Sequence, residues 1–246
     1  MPLLLPHIAR LPGPLVPAPP SVATPLGVLD LRARLGGWTV PPRPGRVDRL
    51  PTGALIHHWE HPGAELELLL CPFRPRGDAA VLPAANCWGA VWRIDARAAL
   101  SGVRLTASFR DVPAGVESEY AGSQGTAAVE LWDAETVLHL GGPDAEDLYW
   151  RAELGGVPAA WARYFDTVDV GGAGWAGWGV EYLDDNRALR WTLPALEPGD
   201  HAFFQTALAW RTRRPDDSEY DERTLWAVQV GYERVLEAAA GMAHPD

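Results

Sequence analysis

Apolar and polar residues alternate with period two through most of this chain, and the alternation is cleanest between Gly174 and Arg211. Leu189, Trp191 and Leu193 alternate there with Arg190 and Thr192, the signature of a strand with one buried face. Further on, Phe204, Leu208 and Trp210 share one face, and His201, Phe203 and Gln205 the other. Asp184-Asp185-Asn186-Arg187 and Glu197-Pro198-Gly199-Asp200 separate these runs. Both are turn clusters, because Asn, Asp and Gly tolerate positive φ and Pro presets the first corner. The stretch therefore predicts an antiparallel meander of three strands.

The same pattern predicts a hairpin from Leu55 to Glu60 and Glu65 to Phe73, turning at His61-Pro62-Gly63-Ala64, with Leu66, Leu68 and Leu70 on one face. Strands follow at Cys87 to Ile94 and Val103 to Phe109, and a second hairpin joins Ala128 to Trp132 and Thr136 to Leu140. Leu148 to Glu153 and Trp161 to Val170 read as further strands. Leu26 to Val40 reads as a first strand or a short helical turn, and residues 111–126 as a long loop or lid. Near the end the period changes. Leu225, Val228, Tyr232, Val235, Leu236 and Ala239 follow helical spacing after candidate caps at Asp216 to Glu219, and Gly241 is placed as the stop. One helix of about five turns, roughly 30 Å long, is expected to lie on the outside of the sheet.

No strand–helix–strand alternation appears, so the class is all-β with one C-terminal α-helix. A closed antiparallel barrel and a two-sheet sandwich both fit, since alternation does not distinguish them; the barrel is preferred. The expected organisation is an extended arm over residues 1–25, which hold eight prolines, a β body over 26–215 and a helix over 216–241 packed on that body.

Composition narrows the partners. A net charge of −11 argues against nucleic acid and anionic membrane surfaces. No run approaches the roughly 20 apolar residues of a membrane span, and prolines interrupt the N-terminus where a signal peptide would need a continuous apolar core. A cytoplasmic location is expected. All 21 basic residues are arginine, which excludes lysine Schiff-base chemistry. Cys71 and Cys87 are expected to be buried free thiols.

Candidate chemistry is sparse. On a strand, His58 and Glu60 share a face about 6.7 Å apart and can converge on a metal, but nothing marks a third ligand. His57 and His61, on the opposite face, lie about 13 Å apart. The acidic pairs Glu117/Glu119, Asp184/Asp185 and Asp216/Asp217 fall in loops or turns, where solvated acids are ordinary. No phosphate loop, nucleophile elbow or Cys/His metal spacing is present, so neither metal nor cofactor is expected. Twelve tryptophans are the compositional oddity. Trp59, Trp88, Trp92, Trp175 and Trp178, with Tyr182, are the residues expected to line a ligand cavity, as indoles stack on flat or apolar guests. The bland alternative is that they fill a β core.

Trp175-Ala-Gly-Trp178-Gly-Val-Glu-Tyr-Leu183-Asp184-Asp185-Asn186 resembles the tryptophan-rich strand and hairpin of the lipocalin-like carotenoid hydratase and natural-product cyclase superfamily. Tyr164-Phe165-Asp166 is similar to the aromatic–aspartate step upstream in such proteins, and Gly36-Gly37-Trp38 with a terminal helix is similar to lipocalins at large. The resemblance spans about thirty residues plus those two features, and the family's two-barrel length exceeds this chain, leaving room for one barrel. It implies a lipocalin-like barrel binding an apolar small molecule, with Asp166 as the acid of a cofactor-independent hydration or cyclisation. A carbohydrate-binding or carbohydrate-processing sandwich is the alternative, and a structural protein with a purely packed core the third.

Overall fold

Two antiparallel sheets face each other, and a partial third layer of helix and extended chain lies on the outer side of the larger one. In a computed structural model of the chain, the described residues are 4–12, 15–123, 125–165, 179–213 and 222–242. The smaller sheet has six strands. Its path runs β1 (Ser21–Thr24), β2 (Gly27–Leu35), β8 (Val103–Arg110), β13 (Ala188–Leu193), β12 (Gly179–Leu183), and β3 (Trp38–Thr39) pairs with β2. The larger has eight: β4 (Arg46–Arg49), β5 (Leu55–His61), β6 (Ala64–Pro72), β7 (Cys87–Ala96), β14 (His201–Thr212), β11 (Thr136–Pro143), β10 (Thr126–Trp132), β9 (Glu117–Tyr120).

This is the two-sheet form of the all-β class, not the closed barrel. Leu29, Leu31, Ala33 and Leu35 of β2 and Leu189, Trp191 and Leu193 of β13 meet Leu66, Leu68 and Leu70 of β6 and Phe204 and Leu208 of β14 in one cluster. The expected meander divides between the layers. β12 and β13 form their hairpin in the smaller sheet, with Arg187 at φ 45° closing the turn, but β14 pairs with β7 and β11 in the larger one. The segment 194–200 makes that crossing, held by hydrogen bonds from Gly199 N–H to Ala96 O and between Leu196 and Leu100. Period-two spacing fixes which face is apolar but not which neighbour a strand takes.

Two expected strands are helical. α1 (Ala145–Leu154) begins where Asp144 accepts from Asp147 N–H and ends at Gly155 in the left-handed region, φ 95°. Ala145, Leu148, Arg151 and Ala152 form its buried stripe. Trp161 closes a single 3-10 turn and α2 (Ala162–Phe165) follows; residues 166–170 of that expected strand lie outside the described residues. The loop at 111–126 contains the edge strand β9. The C-terminal helix is two pieces, α3 (Arg223–Val228) and α4 (Tyr232–Ala240), separated by Gln229, Val230 and Gly231. Gln205 of β14 donates to the Val230 carbonyl that this break frees.

Both pieces dock on glycine. A Cβ at Gly89 of β7 would lie 2.6 Å from both γ-methyls of Val235 in α4, and one at Gly141 of β11 2.7 Å from a γ-methyl of Val228 in α3. Under these helices Cys71 and Cys87 are buried free thiols, each pushed up to about 12 by loss of solvation. Among the described residues no helix is long and apolar enough to cross a membrane.

Two buried histidines link the fold to pH. Burial pulls His57 down to about 4, against the raising effect of its hydrogen bond to the Leu68 carbonyl, and neighbouring His58 lowers it further. Burial also pulls His139, which faces the Thr224 hydroxyl at 2.9 Å, down to about 3, with Arg211 adding to the fall.

Gly89→Ala is expected to destabilise the protein by about 1–3 kcal/mol in urea unfolding, because Val235 is β-branched and cannot swing aside. Val235→Ala in the same chain recovers part of that loss, and simple additivity of the two would refute the contact. Acid is expected to weaken the fold through His57. Its folded pKa lies below its unfolded value of 6.5, so below pH 6.5 the unfolded chain takes a proton that the folded chain refuses. Stability is complete above pH 6.5 and falls toward pH 4, by about 3 kcal/mol from this group. His57→Gln flattens that part of the stability–pH curve; an unchanged slope would refute the assignment.

Candidate functional site

The sheets' edges meet beside β5, and there the chain leaves a cleft of about 490 Å³. β4 pairs with β5 only from Leu55 to His58, so Trp59, Glu60 and His61 lie beyond its end. Gly45 N–H donates to His58 O at 2.9 Å as the last link, and the proline-rich segment 41–44 then turns away along the cleft wall. That segment is pinned from the core side, where the Trp59 indole N–H donates to Pro41 O at 2.9 Å.

The opposite wall comes from the smaller sheet. Gly36 and Gly37 make a two-residue link between β2 and β3, with Gly36 at φ 55°, a corner that glycine takes without steric cost. Trp38 follows at once, and its ring stacks on His61 with centroids 4.6 Å apart and planes 17° apart. Trp38 is half-buried and borders the cleft with Arg43, Arg46 and Glu60. Arg43 and Glu60 are exposed and have no hydrogen-bond or ion-pair partner among the described residues.

Behind the cleft lies a charged network. His58 places Nδ1 2.8 Å from Glu67 Oε1 and Nε2 3.0 Å from Asp48 Oδ2. Asp48 also meets Arg46 Nε at 3.2 Å and Arg10 Nε at 3.5 Å. Glu67 is fully buried and accepts from Leu4 N–H, so the N-terminal segment closes the network. A carboxylate so placed needs every one of these partners. His58 is thereby turned toward Asp48 and Glu67 rather than paired with Glu60. Among the described residues no group of three or more His, Cys, Asp or Glu is arranged to hold a metal ion.

The residues expected to line a cavity are dispersed. Trp59 and Trp92 lie in the core between the sheets, 4% and 2% exposed, with ring centroids 5.8 Å apart. Only Trp59 borders the cleft. Trp88 and Tyr182 are half-buried against the inter-sheet core. The Trp88 indole donates to Ala85 O at 3.2 Å, and the Tyr182 hydroxyl donates to Asp184 Oδ1 at 3.0 Å with Ser118 Oγ 3.1 Å away. Asp166, Trp175 and Trp178 lie outside the described residues, as do Asp216 and Asp217. Sequence reasoning missed Arg43 and the open flank of β5. The signal was present in Pro41, Pro42 and Pro44, which stiffen this one stretch, but nothing local says what they face.

No family model matches the chain, and no curated protein matches it. Among solved structures it is similar to a protein described as a kojibiose phosphorylase from the human microbiome, with a TM-score of 0.48 and 5% sequence identity. The likeness covers 92% of this chain and 30% of that one, so the chain spans under a third of that protein's length.

Proposed function

We propose that the protein binds a carbohydrate in the cleft beside β5. The observation that carries this reading is the Trp38 ring, backed by His61 and bordering a cleft that also presents unpartnered Arg43 and Glu60. A sugar ring has a C–H face that stacks on an indole, and hydroxyls at its edge that both donate and accept. Glu60 supplies the acceptor and Arg43 the donors. The cleft volume falls within the roughly 300–1,000 Å³ of small-ligand sites. A purely apolar guest would instead strip water from Arg43, Arg46 and Glu60 and offer them nothing in return.

A second reading follows the resemblance: an apolar small molecule taken up at the border of the inter-sheet core, with Asp166 as proton donor for hydration or cyclisation. Its support is the half-buried state of Trp88, Tyr182 and Trp210 along that border.

Intrinsic fluorescence titration separates the two. Oligosaccharides are expected to quench the native protein, and Trp38→Ala to weaken that binding by about tenfold, the size of one lost stacking contact. Glu60→Gln, a change at an exposed site, is expected to weaken it without altering the unfolding midpoint. Quenching by isoprenoids or polyenes alone, untouched by either change, would overturn the carbohydrate reading. Under the second reading Asp166→Asn keeps polyene binding and abolishes turnover.

A further inference from the structure

On the outward face of the smaller sheet the structure assigns an oxyanion site to Arg34 of β2 and Arg104 of β8, and this stands whether or not the Trp38 cleft takes a sugar. Among the described residues five arginines project from that face: Arg32, Arg34, Arg104, Arg110 and Arg190, on a chain whose net charge is −11. Three of them are neutralised locally. Arg32 and Arg110 meet Asp30 at 3.5 and 3.1 Å, and Arg190 meets Glu181 at 3.3 Å. Arg34 and Arg104 have no carboxylate partner among the described residues, yet they stand directly opposite each other in the ladder. Like charges in directly opposed positions disfavour the bare sheet, and an anion between them reverses the sign of that contact.

The surroundings suit a small anion. Arg34 is anchored by one bond, Nε to Gly36 O at 3.1 Å, which leaves its terminal N–H groups to face outward. Arg34, Arg104, Ser101 and Thr192 line a concavity of about 230 Å³. Thr192 is the cross-strand partner of Arg104 on its other side, and neither the Ser101 nor the Thr192 hydroxyl has a hydrogen-bond partner among the described residues. Two guanidinium forks can only donate and two hydroxyls can also donate, with no acidic group in the lining. That set selects a phosphate, sulfate or carboxylate, either as a free ion or as the charged group of a small solute.

The test uses the full chain, followed by calorimetric titration and thermal unfolding in phosphate, sulfate or citrate against sodium chloride at equal ionic strength, which holds screening constant. Saturable binding of at least one of the three anions is expected, and the preferred one identifies the source. Arg34→Gln and Arg104→Gln each weaken it by about tenfold or more, the size of a lost charge-assisted hydrogen bond, whereas Arg190→Gln retains it. In sodium chloride Arg104→Gln is expected to unfold no earlier than the native protein, because it removes a repulsion. Absence of saturable binding with all three anions would overturn the site. So would full binding in Arg34→Gln or Arg104→Gln, or a lowered midpoint for Arg104→Gln in sodium chloride, which would make that arginine a structural group.

Discussion

The central strands of the eight-stranded sheet have no solvent side, and the rest of the molecule is arranged around that fact. Leu66, Leu68 and Leu70 of β6 face the second sheet, while Leu69 and Cys71 of the same strand face a second apolar cluster with Leu4, Leu5 and Val235. A strand buried on both faces needs two covers: the smaller sheet covers the inner face, and Leu4, Leu5 and Ile8, the turn around Ala79 and Leu82, and α3 and α4 share the outer one. The helices come close enough because Gly89 and Gly141 leave no side chain beneath Val235 and Val228. Glu67 is a carboxylate on that surface, 0% exposed. A carboxylate in a double-faced strand is tolerable only with charge-assisted partners, and His58 with the Leu4 amide provides them.

The cleft forms where the edge strand β4 stops. β4 is four residues long, and its pairing ends at the His58 position, so the open flank of β5 is left to the stiff segment 41–45 and to the Trp38 hairpin of the other sheet. Rigidity there comes from three directions: the core through Trp59, the Asp48–His58–Glu67 network behind, and the Gly36–Gly37 corner in front. Such backing holds the cleft walls and the Trp38 ring in place, while the exposed Arg43 and Glu60 side chains have no partner among the described residues.

Much of the strand content was legible because period two is a local property. The β5–β6 hairpin around Pro62-Gly63 and the β10–β11 hairpin around Asp133 follow directly from alternation and turn chemistry, and the Asp133 carboxylate accepts from Glu135 and Thr136 N–H as such turns require. Leu148 and Tyr149 predict a strand where α1 stands, because its helical identity sits in the cap at Asp144 and the stop at Gly155. Helical spacing predicts an unbroken terminal helix because the group that satisfies the carbonyl freed at its break, the buried Gln205 side chain bonded to Val230 O, is distant in sequence. The tryptophans do not act as a set. Trp59 and Trp92 are core, whereas Trp38 borders a cleft because a two-glycine corner delivers it there.

Taken alone, the order of residues determined the all-β class, the β5–β6, β10–β11 and β12–β13 hairpins, the core-facing residues of β6, β13 and β14 and the burial of both cysteines, all of which depend on neighbours a few positions away. Tertiary structure alone decided that β14 leaves β13 for β7, that Arg34 stands opposite Arg104, and that Arg43, Glu60 and Trp38 border one cleft. Each of those is a pairing across the fold, fixed by which buried surfaces fit together rather than by any local preference.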